Sequence, residues 1–475
     1  MNLPSPSFRV RPGQPEREYF DLAAGGAVLL LLIAIGIVIL AGDRVGLYIR
    51  DYSPQAEGSS RGPITLVFDQ NLDSNSWVGQ IEITPEINGV WSATGNRISF
   101  RPEGAFSAGT RYTVRVKAGL KSAVGRALLA DHQWDFEVRG ARVAYLGPID
   151  QITQNLYLAD PAEPDSGRQV TFSEKGVVGY EVSPDGGQIV YAQLGEENAV
   201  SLWVLEVDSG NTSILLDCTG AQCANPAWSP NGERIAYERV ELNLNTNMTP
   251  GAPRVWLFTL ATGENRPVFS DNQRIGYMPR WSPDSKLLAL YDSSIGAIVV
   301  RDLSSDTERT IATPQGEVGR FSPDGRWLHY PKIIQVPGET RYVAHYVLVN
   351  LSGEFTTQRD LTSDHDPNND VDFAWMADSK GVVVARRVPP QEQVNSVMGA
   401  QIYQLQLEAE TAIPLVVDPD YSHGMLSVSP AGDALLMQRF ALGRPGARPE
   451  VWVFRFSDQN LIRIANNATM PRWLP

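Results

Sequence analysis

Residues that could do chemistry are sparse in this 475-residue chain, and the densest run of them is acidic. Oxygen-bearing side chains occupy alternate positions of the string SDHDPNNDVDF: Asp364, Asp366, Asn368, Asp370 and Asp372. Several such oxygens can bind a hard cation such as Ca²⁺. An EF-hand loop has Gly at its sixth position and an acid at its twelfth, where this run has Asn369 and Trp375. Asp and Asn are also ordinary turn formers, so the run predicts either a solvated loop or a calcium site.

No other pattern indicates an active site. The one G-x-S-x-G string, Gly58 to Gly62, lies in a polar stretch and lacks the buried strand that precedes a nucleophile elbow. The 5 histidines are scattered, and their spacing proposes no metal site. We therefore predict no catalytic residue, no cofactor apart from the calcium alternative, and a protein that is not an enzyme.

The 2 cysteines, Cys218 and Cys223, are close enough to close a small loop. Their spacing is wider than that of a C-x-x-C redox pair, and two further ligands for zinc are missing. A disulfide is expected if this part of the chain is exported, and two free thiols if it is not.

Composition narrows the class of protein. The net charge is -14 and the isoelectric point is about 4.9, which argues against nucleic acid as a partner because a phosphate backbone requires a basic surface. With 41 Gly, 33 Pro and 11 Trp, the chain has the composition of an all-β protein with many turns.

Residues 22–42 carry no charged side chain and are long enough to cross a hydrocarbon core of about 30 Å. We predict a retained transmembrane helix, preceded by a cytoplasmic tail at residues 1–21. Arginines flank both ends of this stretch at similar distances, so charge does not set the orientation. The short tail and the large following region favour a single-pass protein of the plasma (inner) membrane, with its C-terminal domains outside the cytoplasm.

A polar linker is predicted at residues 43–61, followed by a small sandwich at residues 62–139. The runs ITLVFDQ, NRISFRP and HQWDFEVR alternate with period two and are separated by turn residues. Together with a Gly-Thr-x-Tyr turn and a Trp-x-Phe in the last strand, they resemble the bacterial Ig-like domains of surface-layer and adhesin-type proteins. The resemblance implies a spacer or adhesive module.

Residues 141–475 contain a repeat with copies such as PAWSPNGERIAYER and PRWSPDSKLLALYD. Equivalent positions recur every 40 to 54 residues, at Ser183, Ser229, Ser282, Ser322, Met376 and Ser429. This spacing is typical of a four-stranded propeller blade. Ser-Pro-Asp-Gly suits a type I turn at a hairpin corner, and Met376-Ala377 in the fifth copy predicts a distorted corner there with the register kept. The aromatics that enter these corners are expected to pack between blades: Trp228, Trp281, Phe321 and Trp375.

The last strand predicts how the ring closes. MPRWLP at Met470–Pro475 nearly repeats MPRWSP at Met278–Pro283 and supplies the strand that the first unit, residues 141–173, lacks. A strand at 469–475 joined to the N-terminal unit would remove the open edges of the ring. We therefore predict an all-β chain with a seven-bladed propeller, with six or eight blades as alternatives.

The repeats resemble those of the TolB-family propellers, which are also found in prolyl oligopeptidase relatives. The resemblance implies the fold and leaves the function open, because such propellers bind proteins, peptides or sugars and some are enzymes. We expect a membrane-anchored, non-enzymatic platform that binds an envelope protein, peptide or glycan. Two alternatives remain: a hydrolase or lyase with carboxylates at the propeller axis, and an envelope sensor.

Overall fold

The computed structural model of the chain describes residues 23–33, 35, 46–151, 153–163, 166–243, 249–352, 357–389, 399–408 and 412–475. Residues 23–33 are helical and their side chains are exposed. Residues 1–22, 34 and 36–45 lie outside the described residues, and they include the predicted tail and much of the predicted membrane span. Within the described part of the chain, no helix is long and apolar enough to cross a membrane.

The first domain is a sandwich of two four-stranded sheets, with strand orders β1-β3-β6-β5 and β2-β8-β7-β4. Its strands are β1 Ile49–Ser53, β2 Glu57–Gly58, β3 Ile64–Phe68, β4 Ile81–Thr84, β5 Gly89–Thr94, β6 Arg97–Pro102, β7 Arg111–Val116 and β8 His132–Val138. Alternate residues of β3, β6 and β8 are buried, and they form one core around Phe68, Phe100 and Phe136. The period-two pattern of these strands thus places one face of each sheet inside.

The predicted linker at 43–61 is corrected by these strands. β1 pairs antiparallel with β3, and β2 pairs parallel with β8, so residues 49–53 and 57–58 belong to the sandwich. Leu47 is fully buried in the same core. β1 was missed because it lies at a sheet edge and its side chains are mostly exposed, which leaves no alternating apolar pattern in IRDYS.

The second domain begins with β9 Arg142–Gly147, β10 Asn155–Ala159 and β11 Arg168–Gln169. The next three units are β12 Val177–Val182, β13 Gln188–Leu194, β14 Val200–Glu206 and β15 Thr212–Leu216; β16 Ala221–Trp228, β17 Arg234–Glu241, β18 Arg254–Thr259 and β19 Asn265–Pro267; and β20 Gly276–Trp281, β21 Leu287–Asp292, β22 Ala297–Asp302 and β23 Thr307–Ala312. A 3₁₀-helix, Glu196–Asn198, connects β13 and β14. Within each unit, consecutive strands pair antiparallel.

The remaining units are β24 Trp327–Gln335, β25 Tyr342–Asn350 and β26 Gln358–Asp360; β27 Asn369–Trp375, β28 Gly381–Arg387, β29 Gln401–Gln406 and β30 Ala412–Val416; β31 Tyr421–Val428, β32 Ala434–Ala441, β33 Glu450–Arg455 and β34 Leu461–Asn466; and a last strand, β35 Thr469–Leu474. An isolated bridge between Phe321 and Leu328 marks the entering strand of the β24 unit. β35 pairs antiparallel with β9, so the end of the chain shares a sheet with the start of the domain.

The repeated corners close as their sequence predicts. In the first copy, Gly186 N donates to Ser183 O at 2.9 Å, and Ser183 Oγ donates to Asp185 Oδ1 at 2.6 Å. Gly186 has a φ of 71°, a backbone conformation that favours glycine. The predicted distortion at Met376 is wrong, because Ser379 N donates to Met376 O at 3.0 Å and closes the same turn. Lys380 N also donates to Asp378 Oδ1 at 2.9 Å, so the backbone and aspartate bonds preserve the corner where the serine hydroxyl is missing.

Candidate functional site

The innermost strand of each propeller unit presents its side chains with period two, and this period defines a candidate site. The aromatic residue one position before the corner is buried in the sheet packing, as at Trp281, Phe321 and Trp375. The residue two positions before the corner therefore faces the opposite way, toward the neighbouring inner strands. Those positions hold Glu181, Ala227, Arg280, Arg320, Ala374, Ser427 and Arg472.

These inner strands surround a common space, which we call the channel. β12 contacts β16, β16 contacts β20, β27 contacts β31, and β35 contacts both β31 and β12. Arg280 of β20 interacts electrostatically with Arg320 and with Arg472 of β35, although some 190 residues separate it from Arg472. Charges from distant parts of the sequence thus converge on this channel.

Three arginines form its basic layer, which is the level two residues before the corners. Arg280 donates only to the carbonyl oxygen of the preceding Pro279, at 3.0 Å, and Arg320 donates to Leu426 O at 3.1 Å. Arg472 lies 3.8 Å from Glu181. Among the residues that the structure describes, neither Arg280 nor Arg320 has a carboxylate within 4.0 Å. Two guanidinium groups in the channel are therefore without an ion-pair partner in the described chain.

The pKa values reflect this crowding of like charge. Burial, together with the charges of Arg320 and Arg472, lowers the pKa of Arg280 to about 10, and the carboxylates of Glu181 and Glu238 oppose that shift. Burial lowers the pKa of Arg320 as well and Arg472 lowers it further, while Asp372 and Glu181 act in the opposite direction. A nearby anion would favour the charged form of both side chains.

An acidic layer lies farther from the corners. Burial raises the pKa of Glu317, and the Asp372 carboxylate raises it further. Asp372 accepts hydrogen bonds from Leu426 N and Phe373 N, each at 2.7 Å, and Glu238 Oε1 accepts one from Met278 N at 2.8 Å. Because Asp372 stands two residues farther from its corner than the arginines stand from theirs, the two layers are about 6–7 Å apart along the strands.

Three methionines lie at the same level of the channel as Asp372. Met278, Met425 and Met470 each stand four residues before a corner or its equivalent and have φ values of 57°, 52° and 52°. The pairing register shifts at each of them, so these residues form β-bulges. Bulges redirect side chains within a strand and occur often beside active sites.

A cavity of about 370 Å³ lies in the channel. Its lining combines two arginines, one carboxylate and two thioethers, contributed by Arg320, Val371, Asp372, Gly424, Met425, Met470 and Arg472. This volume falls within the range of small-ligand pockets. The lining suits a ligand that carries an anionic group beside an apolar part.

The sandwich lies across the corner end of the propeller. A second cavity, of about 790 Å³, is lined on one side by Arg61, Pro63 and residues 101–104 of the sandwich. Every corner copy contributes to the other side, with the residues that follow the Ser or Met position: Pro184, Pro230, Pro283, Pro323, Ala377 and Pro430. The first domain therefore covers the mouth of the ring that the corners form.

Polar contacts hold the two domains together. Ser59 Oγ donates to Asp185 O at 2.5 Å, Arg61 donates to Pro430 O at 3.3 Å, and Arg101 donates to Asn231 O. These acceptors belong to three different corners. Ser59 lies inside the G-x-S-x-G string, and the central Ser60 of that string is buried in the sandwich. Residues of this string therefore take part in the contact between the sandwich and the propeller.

The five residues of the acidic run do not point at one centre. Asp370 is buried and forms a bidentate pair with Arg386 at 2.6 and 2.9 Å, and Asp366 lies 3.5 Å from the same arginine. Asp364 pairs with Lys332 at 3.3 Å, Asn368 O contacts His345 Nε2 at 3.1 Å, and Asp372 faces the channel. Among the described residues, no group of three or more His, Cys, Asp or Glu side chains is arranged to hold a metal ion. The calcium alternative therefore stays a prediction without a coordination geometry behind it.

Cys218 and Cys223 are bonded to each other, with an S–S distance of 1.93 Å, and both are buried. The histidines stay apart: His329 stacks on Phe373, with ring centroids 3.8 Å apart, whereas His423 Nδ1 contacts Ala400 O at 2.8 Å. Neither the disulfide nor these histidines lines the channel cavity.

Sequence reasoning missed the channel charges, although a signal for them was present. Four of the seven positions two residues before a corner or its equivalent are charged: Glu181, Arg280, Arg320 and Arg472. Charged side chains in buried strands are uncommon unless they are paired or functional.

Comparisons with known proteins agree with this architecture. Residues 43–138 match the family model of the bacterial Ig-like domain, which begins before β1 and includes both strands that the predicted linker left out. The resemblance of the first domain to bacterial Ig-like domains is thus confirmed.

Solved structures match the chain as well. A puromycin hydrolase matches with a TM-score of 0.50 and 14% identity, over 69% of this chain and 52% of that chain. The oligogalacturonate lyase of Vibrio parahaemolyticus matches with a TM-score of 0.49 and 14% identity, over 67% of this chain and 87% of that chain. TolB of Acinetobacter baumannii matches with a TM-score of 0.41 and 13% identity, over 91% of this chain and 100% of that chain. The chain is a propeller protein with TolB among its structural neighbours.

The prediction that the chain is not an enzyme is wrong as an inference from this fold. A protein named as a hydrolase is among its structural neighbours, with a TM-score of 0.50. At 14% identity the likeness to the hydrolase shows the fold alone, so it assigns no reaction to this chain.

Proposed function

We propose that this chain is a membrane-anchored, extracytoplasmic propeller whose channel binds a peptide segment of an envelope protein. The observation that supports this function is the pair of unpartnered guanidinium groups, Arg280 and Arg320, in a channel with a 370 Å³ cavity. Both side chains are half-buried, and charged groups that are kept in a channel without an ion-pair partner are candidates for ligand binding.

The ring is proposed to have seven blades. Six units have a corner of their own, and β35 with β9, β10 and β11 forms one more four-stranded sheet from both ends of the domain. Each unit would contribute one inner strand to the channel, so that the ligand contacts residues from many blades.

The anchor is proposed from residues 22–42, whose apolar length suits a membrane span. The sandwich would then hold the propeller off the outer face of the plasma membrane. Because the sandwich covers the corner mouth, the ligand would enter through the opposite mouth, past the acidic layer and the methionines.

Site-specific photo-cross-linking in cells tests this function. A photoreactive amino acid at Met425, in the channel, is compared with one at Ile413, an exposed residue of the outer strand β30. We expect a discrete peptide adduct, identified by mass spectrometry, at Met425 and not at Ile413. Identical products at both positions, or no product at Met425, would count against channel binding. A carbohydrate adduct at Met425 would show that the ligand is a glycan and not a peptide.

A further inference from the structure

The charges in the channel are layered, and this layering restricts the ligand chemistry. The basic layer of Arg280, Arg320 and Arg472 is nearer the corners, and the acidic layer with Asp372 and Glu317 is nearer the open mouth. The sandwich covers the corner end. A ligand that enters from the open mouth would therefore meet the carboxylates first and the guanidinium groups last.

We infer that the channel binds the free C-terminal carboxylate of a peptide, with that carboxylate held by Arg320, which lines the cavity, and by the neighbouring Arg280 of the same basic layer. The inference rests on the proposed function and adds the chemical class of the bound group. A guanidinium presents several N–H donors in a planar fork that matches a carboxylate, and such pairs are often bidentate.

Charge balance favours a carboxylate over a phosphate. The cavity holds Arg320 and Arg472 together with one carboxylate, Asp372, and Arg472 already lies 3.8 Å from Glu181. A phosphate would bring close to two negative charges beside Asp372, whereas a carboxylate brings one, so the Asp372 carboxylate repels the phosphate more strongly.

The shape of the site favours a chain end over a loop. The channel is covered at the corner end by Arg61, Pro63 and residues 101–104, so a segment that enters from the other mouth meets the sandwich at that end. A chain terminus can end inside such a pocket, whereas an acidic side chain within a chain would need room for both flanking segments. At about 370 Å³, the cavity has space for a peptide end and not for a folded domain.

The methionines indicate the residues beside that carboxylate. Met425 and Met470 line the cavity, and Met425 is 40% exposed. Methionine side chains are flexible and polarizable, and they adapt to apolar groups of different shape. We therefore expect an apolar side chain at the last residue of the ligand, with tolerance for its shape.

Binding of N-acetylated hexapeptides to the full chain in lipid nanodiscs tests the inference. One fluorescent set has a free C-terminal carboxylate and varied last residues, and a second set has the same sequences with a C-terminal amide. We expect apolar-ended free acids to bind at least 10-fold more tightly than their amides. A third set, amidated but with an internal Glu, should bind no better than the plain amides.

Two variants assign the effect to the channel. Arg320→Gln should weaken binding of the free acids at least 10-fold and leave the amides unchanged. The matched control is Arg266→Gln, because Arg266 lies half-exposed beside Glu264 on the outer strand β19 and should not affect either set. If Arg320→Gln fails to fold, the comparison of acid with amide on the unaltered chain still decides.

The outcomes separate this inference from the proposed function. Equal affinity for acid and amide, no binding of any set, or displacement of bound acid by millimolar inorganic phosphate would overturn the carboxylate assignment. The function itself would survive those results if Met425 still forms a specific peptide adduct in cells. Loss of that adduct would remove the function as well.

Discussion

The indole Nε1 of Trp473 donates a 2.9 Å hydrogen bond to the carbonyl oxygen of Ser427, which links β35 to the inner strand of the neighbouring sheet. The same bond joins Trp281 to Ala227 at 3.0 Å and Trp375 to Arg320 at 3.2 Å. Three of the corner tryptophans thus connect their sheet to the one before it, and the last strand of the chain uses the same connection as two of the internal repeats.

Deleting residues 469–475 is expected to destabilise the whole propeller. The deletion exposes the edge of β9, removes the bond from Trp473 and empties the place of Leu474, which is fully buried. Tyr180 would also lose its hydrogen bond to Met470 O, at 2.6 Å. We expect the free energy of unfolding, measured in urea on the full chain, to fall by several kcal/mol because of the apolar area exposed.

Trp473→Phe is the control for that deletion. It keeps most of the packing and loses one hydrogen bond, so the free energy of unfolding should fall by about 1 kcal/mol. An unchanged, cooperative urea transition after the deletion would contradict the view that β35 closes the ring.

A buried corner serine is expected to stabilise the propeller. Ser322 Oγ donates to Asp324 Oδ1 at 2.5 Å and accepts from Trp327 N at 2.9 Å, and Ser322 is fully buried. Ser322→Ala should therefore lower the free energy of unfolding by about 1–2 kcal/mol. Ser304→Ala removes a similar 2.6 Å bond to Asp302 on an exposed turn and should have a much smaller effect in the same denaturation assay.

The propeller could be predicted from the sequence because each of its turns and strands is specified by a short local pattern, and that pattern repeats along the chain. Each Ser-Pro-Asp-Gly corner specifies a turn from four consecutive residues, and the strands on both sides repeat at fixed distances from it. Even the Met376 copy keeps the turn, through the backbone bond between Ser379 and Met376. In this copy the prediction of a distorted corner was wrong.

The channel and the domain contact could not be predicted in the same way. Arg280, Arg320 and Arg472 belong to units far apart in the sequence, and only closure of the ring brings them together. Likewise, Ser59 reaches Asp185 because two separate domains dock, and no local pattern encodes that docking. β1 was missed since an edge strand with exposed side chains lacks the apolar alternation of a buried one.

Stability is expected to fall in mild acid because of buried histidine. Burial lowers the pKa of His423 to about 4, with Arg439 adding to the effect, while the hydrogen bond to Ala400 and the Asp418 charge oppose it. Burial also holds the pKa of His329 well below its usual value. The neutral folded state binds fewer protons than the unfolded chain, so stability is full above about pH 6.5 and is lost as the pH falls toward 4.

For His423 alone this loss should be about 3 kcal/mol by pH 4. Urea midpoints measured between pH 8 and pH 4 check it, with His423→Asn as the matched variant, since an amide can donate to Ala400 O without titrating. The variant should show a flatter acid limb than the unaltered chain. Parallel pH curves for the two proteins would contradict the assignment to His423.

The buried pair of Asp370 and Arg386 gives the last prediction. Asp370→Asn keeps the shape of the side chain but leaves the buried guanidinium without its bidentate partner, and removing one member of a buried pair costs about 3–5 kcal/mol. The control Asp364→Asn, at an exposed pair with Lys332, should change the thermal midpoint little. If Asp370 acts as an ion-pair partner, millimolar calcium should leave both effects unchanged. A calcium-dependent rise in the midpoint that Asp370→Asn abolishes would make the acidic run a metal site instead.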